Sequence, residues 1–369
     1  MKKKKLLTVF LLFIIIFNTV SCDEIRQFIE PLNSETETET ETETDEETEE
    51  EQNVSRPSYI DPLTGEPSNT DFSTSRPIAV VVKNDRIASP QYGLSKAGVL
   101  YEALVEGGMT RFLAVYSDVS LVDRVGPVID TRIYFYDFAA NHGAAIVQAG
   151  VTQKSAIEQR ARGITALDAI SGEMLPGFFR DEILAQVRGS DTSILTDANG
   201  LKARAQQYGV TLSTSKRDSP YSIMNYMLTK EMENGRYCTY LSIPFSANMV
   251  VEYTYSTLTN KYSRSQYESQ HKDAVTGEVL SFTNIFLIIA DYNVIEPAKG
   301  EMEITNKGSG TGYYISGGNY EMIRWERSDG KSPIQFYETD GLTPLQISAG
   351  NTYIAVLPPR LSGNLKFER

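Results

Sequence analysis

The sequence has little of the chemistry that usually announces an activity. Its 369 residues contain two cysteines, Cys22 and Cys238, two histidines, His142 and His271, and one tryptophan, Trp325. So few thiols exclude a disulfide framework, and two histidines cannot build a His-rich metal centre. No serine stands in a nucleophile-elbow pattern and no metal-ligand spacing is present, so neither a cofactor nor a metal is expected. The net charge is −13, and the only run of basic residues is Lys2 to Lys5. A chain without a basic patch is a poor partner for nucleic acid. Apolar runs are short as well: none approaches the roughly 20 residues that a membrane-crossing helix needs.

What the sequence does have begins at its N-terminus. Lys2 to Lys5 precede an apolar run from Leu6 to Phe17, interrupted only by Thr8, and then Asn18-Thr19-Val20-Ser21-Cys22. A basic start, a short apolar stretch and a small-residue cleavage point make a signal peptide, here residues 1–21. The ending at small-small-Cys resembles the lipobox of bacterial lipoproteins, with Thr19 where Leu is usual. That resemblance implies a diacylglyceryl group on the Cys22 thiol, palmitate-type chains, and a place on the extracytoplasmic face of the cell membrane. Two acyl chains suffice for stable attachment. Ordinary secretion and an uncleaved anchor are the alternatives.

The charge is unevenly spread. Ser34 to Gln52, all Glu-Thr repeats and Glu clusters, contributes −11, whereas residues 53–369 carry only −4. A segment with no apolar or basic residue buries nothing and repels itself, so residues 22–56 read as a disordered, extended acidic tether.

Behind the tether the pattern suggests two domains. In residues 57–214, strand-like runs at Ile78 to Lys83, Val99 to Glu106, Arg111 to Tyr116 and Ala144 to Gln148 alternate with helical runs at Arg132 to Asn141, Gln153 to Arg162 and Asn199 to Tyr208. This predicts a mixed α/β layered sandwich. Residues 215–236, which include a polar stretch closed by Pro220, read as a linker. In residues 237–360 nearly everything is strand and turn, predicting a β-rich, mainly antiparallel domain and an α+β chain overall. Cys238 lies in an alternating stretch and reads as packing. Gly308-Ser-Gly310-Thr-Gly312 reads as a hairpin turn, since a phosphate loop needs a helix after its glycines and Tyr313-Tyr314-Ile315 follow instead. Gly143, free to take positive φ, ends the first helix, which makes His142 part of a C-cap.

The densest chemistry lies at Tyr101-Glu102-Ala103-Leu104-Val105-Glu106-Gly107-Gly108-Met109-Thr110-Arg111-Phe112. If Gly107-Gly108 forms a two-residue hairpin loop, Leu104 faces Arg111, and Glu102 and Glu106 flank that arginine diagonally. Four residues along a strand span about 13 Å, too far for an acid–base pair of the glycosidase kind. Asp123-Arg124 and Asp130-Thr131-Arg132 follow. Asp130 or Thr131 could cap the next helix, and Arg132 could seat an anion there or pair with an acidic neighbour. The ligand-binding candidates are thus Glu102, Glu106, Arg111, Arg124 and Arg132, with no catalytic residue assigned.

At these residues the chain resembles the YerB-like family of uncharacterised bacterial lipoproteins. The likeness runs through Asp61-Pro-Leu-Thr-Gly65, Pro90-Gln-Tyr-Gly-Leu-Ser95, Tyr101 to Phe112 and Gly126-Pro127, then Tyr262-Ser-Arg264, His271-Lys-Asp273, Gly308 to Tyr314, Ile323-Arg-Trp325 and Ser332-Pro333. It implies a three-layer mixed N-terminal domain, a β-rich C-terminal domain and an extracytoplasmic setting, and brings no established reaction. Where the family pattern has Arg, His and a His-Asn pair, this chain has Ile129, Gln148 and Thr192-Ser193. Losing those proton-transfer groups favours binding over catalysis. The expected role is a binding or scaffolding lipoprotein of the cell envelope that takes a cell-wall fragment, a peptide or an envelope protein. A metal-free hydrolase or transferase acting on wall polymer, with Glu102 or Glu106 as base, is the alternative.

Overall fold

The structure is a computed structural model that describes residues 57–171, 173–213, 223–232, 235–329 and 332–369. The signal peptide, Cys22 and the tether lie outside the described residues, as does the polar part of the linker. The described residues belong to one compact unit. Among the described residues no helix is long and apolar enough to cross a membrane.

The β-branched and alternating runs fold as strands. In the first half these are β1 (Ile78–Asn84), β2 (Val99–Leu104), β3 (Thr110–Tyr116), β4 (Ala145–Gln148) and β5 (Leu167–Asp168). The helices are α1 (Ile133–Ala140), α2 (Gln153–Ala161), α3 (Glu182–Arg188) and α4 (Ala198–Tyr208). The second half gives β6 (Arg236–Tyr237), β7 (Tyr240–Ser246), β8 (Met249–Ser256), β9 (Lys261–Gln266), β10 (Asn284–Ile289), β11 (Gly308–Ser316), β12 (Asn319–Arg327), β13 (Gln335–Tyr337), β14 (Thr352–Leu357) and β15 (Lys366–Glu368). The class is α+β with a β-rich second half.

One large sheet runs in the order β6-β12-β11-β10-β14-β2-β3-β1-β4-β5, with β13 also on β12. Its centre is the parallel contact of β14 with β2, where Ile354 lies opposite Tyr101, so strands from both halves of the sequence share one ladder. A second sheet is built from β9, β8, β7 and β15. Because side chains alternate along a strand, the large sheet has two different faces. Ala79, Val81, Tyr101, Leu113 and Val115 pack against Phe135 and Phe138 of α1. Val80, Val82, Leu100, Phe112 and Tyr353 face the second sheet through Leu241, Val251, Tyr253 and Tyr262. The result is helix, sheet and sheet in layers.

Two expectations are corrected here. The glycine run from Gly308 to Gly312 is not a turn but the first half of β11. A Cβ on Gly310 would stand 2.6 Å from the Trp325 ring, and one on Gly312 would stand 2.4 Å from the Leu287 carbonyl oxygen, so glycine admits close neighbours inside a strand. The turn comes later, at Gly317-Gly318, both with positive φ. The described part of residues 215–236 also carries structure, for Asn225–Met227 pairs in parallel with Gln346–Ser348.

Candidate functional site

The hairpin between β2 and β3 decides where the predicted charges go. Its register pairs Ala103 with Arg111 and Leu104 with Thr110. The Val105 N–H donates to the Met109 carbonyl, which leaves Glu106-Gly107-Gly108 as a three-residue loop with both glycines at φ 72°. The two-residue loop expected from the sequence is therefore wrong by one position. A slip of one residue turns every side chain to the opposite face. Arg111 shares a face with Tyr101 and Ala103, while Glu102 points to the other side, so Glu102 and Glu106 do not flank Arg111.

Three of the five candidates, with Asp130, instead form a chain of alternating charge at the end of β2. Arg132 donates from Nε and Nη2 to both oxygens of Glu106, at 2.7 and 2.6 Å, and from Nη1 to Asp130. Arg111 donates to the other Asp130 oxygen at 2.9 Å. Asp130 does not cap α1: the N-cap position is Arg132, whose side chain turns back to the carboxylates. Burial would raise the pKa of Glu106, but its hydrogen bonds from Arg132 and that cation's charge outweigh this and hold it below the usual carboxylate range. Asp130 is likewise lowered, as Arg111 and Arg132 overcome the cost of burial. Both acids stay ionised and engaged.

Glu102 belongs to another environment. It and Arg264 are each 0% exposed, sealed between the two sheets. Arg264 Nη2 and the Tyr353 hydroxyl donate to one carboxylate oxygen at 2.7 and 2.6 Å, and Asn84 Nδ2 and Thr110 Oγ1 to the other at 2.9 and 2.6 Å. Arg264 Nη1 also contacts His271 Nδ1. A guanidinium can only donate, so Nδ1 accepts and Nε2 carries the ring proton. That proton goes to Gln91 Oε1 at 2.6 Å, and Gln91 Nε2 returns to Asn84 Oδ1 at 3.0 Å. The circuit Glu102, Arg264, His271, Gln91, Asn84 is closed. Burial and the Arg264 charge push the His271 pKa well below its ordinary value, which keeps the ring neutral.

The remaining candidates are placed plainly. Arg124 is exposed and lies 5.8 Å from the Phe179 ring, and it lines only a small hollow of about 40 Å³. His142 is buried beside Tyr101, whose hydroxyl lies 2.8 Å from its Nε2, and Gly143 behind it has φ 61°. Cys238 is buried, with burial pushing its thiol up to about 12. Among the described residues no group of three or more His, Cys, Asp or Glu side chains is placed to hold a metal ion.

Only Glu106 of the five borders a roomy opening. A cleft of about 660 Å³ is walled by the Glu106 loop, by Pro244, Phe245, Ala247 and Val250 of the β7–β8 hairpin, by Met302, and by Arg360, Leu361 and Asn364 after β14. Its lining is mostly apolar and includes just two charged residues, Glu106 and Arg360. Sequence reading missed Arg360 and Arg264. Arg264 had one signal, its inward place between buried Tyr262 and Gln266 on a strand; Arg360 had none beyond following Pro358-Pro359.

Two family models match the chain, the N-terminal domain of a protein of unknown function (DUF3048) over residues 63–211 and its C-terminal domain over residues 241–354. This chain belongs to that family. A relative is the provisionally named lipoprotein YerB of Bacillus subtilis (strain 168), 30% identical over 303 residues, which are 80% of this chain and 86% of that one. The crystal structure of YerB protein from Bacillus subtilis superposes with a TM-score of 0.72 at 26% identity, covering 84% of this DUF3048 chain and 100% of that one. The relative's whole crystallised chain is thus matched by 84% of this one. The homology makes the DUF3048 chain a lipoprotein by relationship. Buried Gln148 donates to Asp168 at 2.8 Å and accepts from the Tyr136 hydroxyl, so a neutral amide occupies this position.

Proposed function

We propose that this lipoprotein is held by lipid on Cys22 at the extracytoplasmic face of the cell membrane and works there as a binding or scaffolding protein of the envelope. Its binding site is the cleft beside Glu106. The observation that carries the reading is the composition of that cleft: both halves of the chain supply apolar walls, and Glu106 is locked in place by a bidentate arginine. Ligand pockets have this form, largely apolar with a few fixed polar groups.

The same geometry weighs against proton transfer at this site. A general base needs free lone pairs and a pKa near the working pH, whereas Glu106 and Asp130 are bound by guanidinium groups and depressed. Glu102 is sealed from any substrate by the second sheet.

The test is retention from envelope extract and digested wall on immobilised residues 55–369, beside Val250→Trp, which fills the cleft from an exposed strand position. One defined fragment, peptide or protein held by the parent and lost by the variant is the expected result. Equal retention by both removes the cleft as the site; wall fragments cleaved on incubation replace binding with catalysis.

A further inference from the structure

The cleft has one charge that nothing balances. Glu106 is neutralised by Arg132, at 2.6 Å, before it reaches the opening. Arg360, on another segment of the lining, has no ion pair or side-chain hydrogen bond among the described residues. Its backbone is firmly placed. β14, at the centre of the large sheet, ends at Leu357, and two prolines link it to Arg360. Each fixes its own φ, so the Arg360 backbone is presented from a rigid strand through a stiff connection. Its side chain is exposed and free to turn toward the opening, and its planar fork matches carboxylate or phosphate oxygens.

The rest of the lining tells what accompanies the anion. Leu104, Val105, Phe245, Val250, Met302 and Leu361 make the walls. Val250 remains 38% exposed and Met109, beside the loop, 46%. Apolar surface left open beside a free cation is complementary to an apolar body with an anionic head.

We infer that the cleft takes an amphiphilic anion, a carboxylate or phosphate joined to an apolar chain, with Arg360 holding the head and the Phe245, Val250 and Met302 walls holding the chain. This rests on the cleft being the binding site. The shared chemistry covers an apolar peptide C-terminus and a short acyl or alkyl-phosphate group, and the probes separate them.

The experiment is calorimetric titration of residues 55–369 with hexanoate, hexyl phosphate, a C-terminal Leu-Val-Phe tripeptide acid, methyl hexanoate and the amidated tripeptide. At least one anion should bind about tenfold or more tightly than its uncharged counterpart, as expected for a charge-assisted pair. Arg360→Ala should lose that margin and Arg360→Lys keep part of it, and the best binder names the source. Uncharged probes binding as well as the anions, or Arg360→Ala binding normally, overturns the anion inference and leaves the cleft as a site. Binding of no probe, with extract components still lost by Val250→Trp, does the same; no probe bound and nothing lost removes both.

Discussion

Glu102 and Glu106 are four residues apart on one short segment, yet each belongs to a different part of the molecule. Glu102 is sealed between the sheets and saturated by four donors, one of them from a strand 162 residues away. Glu106, 22% exposed, stands at the lip of a cleft and is held by an arginine of its own half. The difference teaches that a carboxylate's neighbours along the chain say little about its role. A closed, dry circuit fixes the relation between two sheets, whereas a paired but wet one fixes a rim. Burying two charges is costly enough that the interior pair is better understood as a specifier of register than as a net source of stability.

Breaking the interior pair should produce the largest effect. Arg264→Met leaves the buried Glu102 carboxyl group without its cation and should cost about 3–5 kcal/mol, read from urea unfolding. The double variant Glu102→Gln with Arg264→Met should recover much of that loss. Recovery of nothing would mean that packing, rather than charge, is what Arg264 contributes. At the rim, Glu106→Gln leaves Arg132 still paired with Asp130, and the loss should be smaller, about 1–3 kcal/mol. Equal losses at the two sites would erase the distinction between them.

Acid sharpens the comparison further. The folded-state pKa of His271 lies below its unfolded value of about 6.5. Below that pH the unfolded chain binds a proton that the folded chain refuses, so stability is complete above about pH 6.5 and declines as the pH falls, by at most about 1.4 kcal/mol per pH unit for one proton. Glu106 and Asp130 are also depressed, but their stabilisation is present above their unfolded values near pH 4 and is lost only below them. Thermal midpoints should therefore begin to drop between about pH 6.5 and 4.5 for the interior and only under stronger acid for the rim. In His271→Gln the first phase should shrink; an unchanged profile would locate the acid sensitivity elsewhere.

Much of this was readable from the chain. The α+β class and the family came from patterned strands and long motifs, and the expected strands and helices of the first half fall within a residue or two of where they were placed, while β5 and α3 were not anticipated. The site was less legible, for particular reasons. Whether Gly107-Gly108 makes a loop of two residues or joins Glu106 in a loop of three is a small local choice, but it sends Arg111 to the other face. Pairing Glu102 with Arg264 depends on how the second sheet lies over the first, which spacing does not encode. Arg360 becomes noticeable only when the other charges nearby prove to be paired.

The place of β14 has a consequence for how the molecule is made. β2 has β3 on one side, supplied a few residues later, but its other neighbour is Thr352–Leu357, about 250 residues downstream. Chains are made from the N-terminus, so the apolar edge Val99–Leu104 must wait uncovered until β14 has emerged. Such distant pairings close slowly, and bare edges invite pairing with other chains. The first half is thus vulnerable for most of the time it takes β14 to arrive, and shielding that edge would help this protein more before it is finished than after.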